Sequence, residues 1–111
     1  MPQTPQILGQ GIPTAGVDTL IASVPGAATA QMSIFICNQS SVLEQVSIAL
    51  VPGTQTTPPS DQLYNYIAYN TPIIGNGIFS FSGIFLNTGD TIRMKTINGT
   101  ASVTVTGVVN T

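Results

Sequence analysis

The sequence predicts an all-β protein: an antiparallel β-sandwich or jelly roll of seven to eight strands with an extended N-terminal arm. Three observations carry this expectation. Apolar residues return at every second position in a series of short runs, as half-buried strands require. Turn-forming clusters of Gly, Pro, Asn and Asp separate those runs at intervals of about a dozen residues. A helical period is nowhere visible, and 111 residues suffice for one domain that buries its own core without a staple.

Residues 1–16 carry prolines at positions 2, 5 and 13 among Gln, Gly and Thr, so they predict an arm and neither a strand nor a helix. A purely flexible leader has no need of Ile7, Leu8 and Ile12, which suits a tail laid across a neighbouring subunit; a disordered terminus is the competing reading. The single sandwich domain then spans 17–111. Thr19 to Val24 alternates with Leu20, Ala22 and Val24 on one side and ends at the turn Pro25-Gly26. Gln31 to Asn38 directs Met32, Ile34 and Ile36 inward, and Phe35 and Cys37 make its second face apolar as well, so this strand is central or covered on both faces. Asn38-Gln39-Ser40-Ser41 turns the chain, and Glu44 to Val51 forms the next strand with Val46, Ile48 and Leu50 on one face.

Pro52 to Asp61 is a long exposed loop. Gln62 to Asn70 holds all three tyrosines, and Tyr64 and Tyr66 share a strand face that serves either as an aromatic edge of the core or as a binding strip. Thr71 to Gly77 is a turn-rich connector presenting Ile73 and Ile74 outward. Ile78 to Ser82 turns Phe79 and Phe81 inward, Gly83 predicts a bulge, and Ile84-Phe85-Leu86 resumes the strand. After the tight turn Asn87-Thr88-Gly89-Asp90, the stretch Asp90 to Val109 has the signature of a hairpin closed by a type I′ turn at Asn98-Gly99. That register sets Met94 against Val103 and Ile92 against Val105 on the core side, with Arg93, Lys95, Thr104 and Thr106 on the outer side.

Only 5% of the residues are charged, against about 25% in an average soluble domain. Thr, Ser, Gln and Asn make up 39 of the 111 residues, so the surface is hydroxyl and amide instead of ionic. A formal net charge of -2 gives copies of the chain little mutual repulsion, and the scarcity of Lys, Glu and Asp matches the bias of buried interfaces. The chain therefore suits an assembly, with a secreted Ser/Thr-rich β-domain as the bland alternative. Cys37 is the lone cysteine; no internal disulfide can form, and its strand position predicts a small buried apolar residue. The first residues lack the charge and apolar run of a signal peptide, and no window is apolar enough for a membrane helix. Asn38-Gln39-Ser40 and Asn98-Gly99-Thr100 match the glycosylation pattern but are better explained as turn chemistry.

Catalysis needs a titrating group or an activated nucleophile. Histidine is absent, which removes the usual hydrolase triads and most zinc sites. Asp18, Glu44, Asp61 and Asp90 are dispersed over turns and strand ends, where Asp commonly serves the backbone, so a two-carboxylate glycan hydrolase has no supporting motif. Asn87 and Asp90 lack the spaced acidic run of a calcium loop, and Gly9-Gln10-Gly11 opens no helix that could cradle a phosphate. Two cations, Arg93 and Lys95, are too few for a nucleic-acid footprint. The expectation is a non-enzymatic protein with no cofactor or metal, no nucleic-acid partner and no membrane partner.

The segments Ile34-Phe35-Ile36-Cys37-Asn38, Val46 to Pro52, Tyr66-Ile67-Ala68-Tyr69 and Ile84 to Arg93, with Leu8-Gly9-Gln10, Pro13 and Leu20 to Pro25 before them, resemble a group of small virion proteins of tailed bacteriophages. The likeness covers most of the chain, in order, through short degenerate pieces. It implies a compact β-sandwich in the virion. One form would be a head decoration (cement) protein, often a trimer, bound to the major capsid protein; the other would be a tail or baseplate protein. Independently of the resemblance, the residues offer an arm containing Ile7, Leu8 and Ile12 for the first, and for the second a surface of Tyr64, Tyr66, Ile73 and Ile74 with the Pro52 to Asp61 loop, touching partners or host glycans. The group has no catalytic motif, so the resemblance transfers no site residue.

Overall fold

A computed structural model describes residues 3–55 and 63–111. Eight strands form two antiparallel four-stranded sheets. In chain order they are β1 (Gln3–Gly11), β2 (Thr19–Ser23), β3 (Thr29–Asn38), β4 (Glu44–Val51), β5 (Tyr66–Ile73), β6 (Ile78–Leu86), β7 (Thr91–Thr96) and β8 (Ala101–Asn110), with a 3-10 turn at Leu63–Asn65 before β5. The first sheet runs β1-β8-β3-β6 and the second β2-β7-β4-β5. Each strand and its successor in the pairs β1/β2, β3/β4, β5/β6 and β7/β8 thus lie in opposite sheets, which is the double Greek-key wrap of a jelly roll. The core between the sheets is built from the inward parity of each strand: Met32, Ile34 and Ile36 of β3, Val46 and Ile48 of β4, Ile92 and Met94 of β7, and Val103 and Val105 of β8.

This wrap corrects the hairpin expectation. Ile92, Met94, Val103 and Val105 are all core residues, yet β7 and β8 belong to different sheets and meet across the core instead of side by side. Alternation specifies which face of a strand is buried; it does not say which sheet the strand joins. Of the two turn residues only Gly99 takes a positive φ, 72°, so the type I′ geometry is not formed. Arg93 and Lys95 consequently lie on the outer face of one sheet and Thr104 and Thr106 on that of the other.

The N-terminal arm is also corrected. Residues 3–11 are extended, but they are paired with β8 from Gln3↔Asn110 to Gly11↔Val103. Pro5 is tolerated because β1 is an edge strand, with one side of its backbone unpaired. A register shift between Ile7 and Gly9 lets Ile7 point outward while Leu8 packs on the core. Gly9 has no alternative residue, since a Cβ there would collide with the Ile21 carbonyl where β1 crosses β2.

Local bulges explain three further differences. The β2–β7 register shifts between Leu20 and Ala22, so Ile21 packs toward the core and Leu20 is exposed. β5 runs on through Asn70-Thr71-Pro72 to Ile73, which is buried instead of exposed in a connector. In β6 the expected bulge is present, with Gly83 at φ 74° opposite the shift between Met32 and Ile34; it turns Phe79 and Phe81 toward the core and Phe85 away from it. β3 is central as expected, but its second face is uncovered in the single chain, and both Phe35 and Cys37 are exposed. Cys37 shares the outward parity of Phe35, which overturns its expected burial.

Candidate functional site

Four connections, residues 12–18, 39–43, 74–77 and 97–100, meet at one end of the jelly roll. The backbone ties them to one another. The Gly16 N–H donates to the Thr96 carbonyl at 2.7 Å, Asn76 N–H to Ser40 at 2.8 Å and Gln39 N–H to Thr100 at 3.0 Å. Gly75 approaches so closely that a Cβ would collide with the Ser41 carbonyl, and Gly99 stands against Ala15.

Beneath them lies a buried polar knot organised by Glu44, whose exposure is 0%. Its carboxylate accepts bonds from the N–H groups of Gln45, Ile97, Asn98 and Thr100 and from the Thr100 hydroxyl, at 2.8 to 3.2 Å. Burial pushes the Glu44 carboxyl up, but the bonds from Thr100, Asn98 and Gln45 together outweigh it and hold the group below its ordinary value. The Thr100 hydroxyl also contacts Asn38 Oδ1 at 3.1 Å, and Asn38 Nδ2 donates to the carbonyls of Val42, Ile73 and Ile74. Glu44 and Asn38 therefore do for this end what a type I′ turn would have done for a hairpin: they satisfy the backbone of connections too irregular to pair with themselves. The consequence is an inverted layering. With Glu44 and Asn38 inside, Ile12, Val42, Leu43, Ile74 and Ile97 are all exposed on this end, among the polar residues Thr14, Gln39, Ser41, Asn76 and Asn98.

The second notable surface is the outer face of β1-β8-β3-β6. None of these four strands contains a charged residue. Across the sheet, Thr104, Phe35 and Ser80 stand in one row, Ser102, Cys37 and Ile78 in the next, and Val108, Gln31 and Phe85 in a third. Two shallow cavities open here, of about 260 Å³ beside Phe35 and about 320 Å³ beside Phe85.

The candidate residues distribute as follows. Ile7 and Ile12 are exposed on and just after β1, whereas Leu8 packs on the core. Tyr64 and Tyr66 form no common strip, because Tyr64 is on the 3-10 turn, 78% exposed, while Tyr66 opens β5. Tyr66 instead meets Tyr69 edge to face at 5.1 Å, a pairing that simple strand parity forbids and that the irregular β4–β5 register allows. Ile73 is 3% exposed and cannot contact a partner; Ile74, one residue on, is 72% exposed at the tip of its connection.

The described carboxylates serve the fold. Asp18 pairs with Arg93 at 3.1 Å, and Asp90 accepts the Asn87 and Gly53 N–H groups at 2.9 Å. Asp61 and most of the Pro52 to Asp61 loop lie outside the described residues. Among the described residues, no three His, Cys, Asp or Glu side chains are grouped to hold a metal ion.

Sequence reasoning missed Val42, Leu43 and Ile97 because they sit between turn residues, where no period marks them. No protein-family model matches the chain, and no curated protein matches it either.

Proposed function

We propose that this protein is a non-enzymatic structural module that docks onto other proteins through its four-connection end. The observation that supports it best is that Val42, Leu43, Ile74 and Ile97 are all exposed on connections that hydrogen bonds and the Glu44 carboxylate already hold in place. A preorganised apolar surface loses little conformational entropy on binding, so its burial goes largely into affinity. Sparse surface charge supports the same reading, since interface cores are depleted in Lys, Glu and Asp. In its specific form, which rests on the resemblance to small phage virion proteins, the module is a head decoration (cement) protein. It would associate as a homo-oligomer, a trimer at three-fold positions, and bind the major capsid protein on the particle. A tail or baseplate subunit is the alternative location.

Two measurements test this. Sedimentation of the purified chain is expected to show a concentration-dependent oligomer that Ile74→Ser with Ile97→Ser dissolves without unfolding the domain. Density-gradient fractions from cells carrying the gene in its native context are expected to contain the protein in phage particles, at a stoichiometry near that of the capsid subunit for a head protein and at a small fixed number for a tail protein. A monomer at every concentration, absent from particles, overturns the reading.

A further inference from the structure

The outer face of β1-β8-β3-β6 has a chemistry distinct from the docking end. Its exposed apolar residues form two separate groups, Phe35 with Cys37 and Ile78 in one and Phe85 in the other. Phe35, 51% exposed on central strand β3, is flanked in register by the hydroxyl residues Thr104 and Ser80, and the cavity beside it is completed by Ser102, Ile36, Cys37, Ile78 and Phe79. Phe85, 71% exposed on β6, stands beside Gln31, and its cavity is lined further by Thr29, Ala30, Leu86, Asn87 and Asn110. Asp90 borders that second cavity, but its carboxylate is already bound to the Asn87 and Gly53 N–H groups. Along β3, Ser33 separates the row of Phe35 from the row that Gln31 shares with Phe85.

A protein interface gathers its apolar residues into a dry centre. Separated rings set among hydroxyls and amides suit a ligand that is itself apolar on its faces and hydroxylated at its edges, and such a ligand is a sugar ring. The absence of charge from these four strands removes the attraction that a phosphate, a uronic acid or a nucleic acid would need. The rings sit four residues apart along the strand direction, about 13 Å at 3.3 Å per residue, which is longer than one sugar and requires a chain of them. Each cavity is at or below the small end of ligand pockets, as befits an open subsite for a single ring rather than an enclosing site.

We infer that this sheet face binds a neutral oligosaccharide lying along the strands, with Phe35 and Phe85 as stacking platforms and the intervening hydroxyl and amide side chains as hydrogen-bonding partners. The site is separate from the docking end and does not depend on it.

The test is a titration of the isotopically labelled full chain, followed by amide NMR, with cellohexaose, maltohexaose and chitohexaose, and with hexagalacturonate as the charged counterpart. At least one neutral hexasaccharide is expected to give saturable shifts confined to β3, β6 and β8, with none from the acidic one. Phe35→Ala should weaken that binding about tenfold, consistent with loss of a stacked ring, and Phe35→Tyr should restore it. Both variants replace an exposed side chain, and their own spectra report whether they fold. Ile74→Ser with Ile97→Ser should bind the sugar as the parent does, which separates this site from the docking surface. No saturable shift with any neutral sugar at millimolar concentration, shifts unchanged by Phe35→Ala, or concentration-dependent shifts on this face without sugar, the mark of a second copy, each overturn the inference.

Discussion

The four-connection end, where the charge of Asp18 is paired with Arg93, and the uncharged outer face of β1-β8-β3-β6 are built in opposite ways. At the end, a charged and an amide side chain are buried and the aliphatic residues are outside. On the sheet face, the core aliphatics are buried beneath a skin of hydroxyls and amides broken by Phe35, Ile78 and Phe85. The difference teaches that exposure of an apolar side chain has two origins here. On the sheet it follows from strand parity, each residue standing out because its neighbours point in. At the end it follows from Glu44 and Asn38 consuming the polar groups of the connections, which leaves their apolar side chains no inward place.

The contrast makes a polar residue, and not an aromatic one, the site of the most damaging single change. Glu44→Ala leaves the Asn98 and Thr100 N–H groups without their acceptor and is expected to cost about 4 kcal/mol, read as a large fall in the urea midpoint. A loss below about 1 kcal/mol would mean that water replaces the carboxylate and that the end is not organised by it. Gly75→Ala forces a methyl against the Ser41 carbonyl and should cost about 2 kcal/mol in the same assay, since backbone cannot step aside as a flexible side chain can.

Acid sharpens the comparison further. Because the Glu44 carboxyl is held below its ordinary value in the folded protein, the unfolded chain takes up the proton first. Its contribution is fully present above the ordinary Glu range, near pH 4.3, and is lost as pH falls through the lower folded value. The urea midpoint should therefore drop on acidification below about pH 4.3, and Glu44→Gln should show a shallower drop. Parallel profiles for the two proteins would separate the acid sensitivity from this group. The smallest effect belongs to the sheet face, where Phe35→Ala and Phe85→Ala remove exposed rings and should each shift thermal stability by about 0.5 kcal/mol or less. A loss of several kcal/mol there would show that the face supports the core.

The fold class and the centre of the core were legible in the sequence because parity is a local property, set by neighbours two positions apart. Met32, Ile34, Ile36, Ile92, Met94, Val103 and Val105 are buried as the alternation implies. Partnership between strands was not legible. Asn98-Gly99 carries the sequence of a hairpin turn, but Glu44, more than fifty positions away, captures the N–H groups on which that turn would have been built. Bulges defeated local reasoning in the same way at Leu20 and in the tyrosine strand, since an inserted residue flips all that follow. The bulge at Gly83 was foreseeable because glycine marks it; the one near Leu20 has no such marker. The four-connection end was invisible for a deeper reason, as its connections become neighbours only once the wrap is complete.

The kink at Gly83 has one more consequence. β6 is a nine-residue edge strand rich in Ile and Phe, without a lysine, an acid or a proline along it. Such a margin invites another chain to zip onto it and propagate a fibre, the hazard that most proteins counter with charge. Here the left-handed glycine breaks the straight run of free N–H and C=O groups near its middle, so in a molecule that dispenses with ions a bend takes over the work of keeping copies from fusing edge to edge.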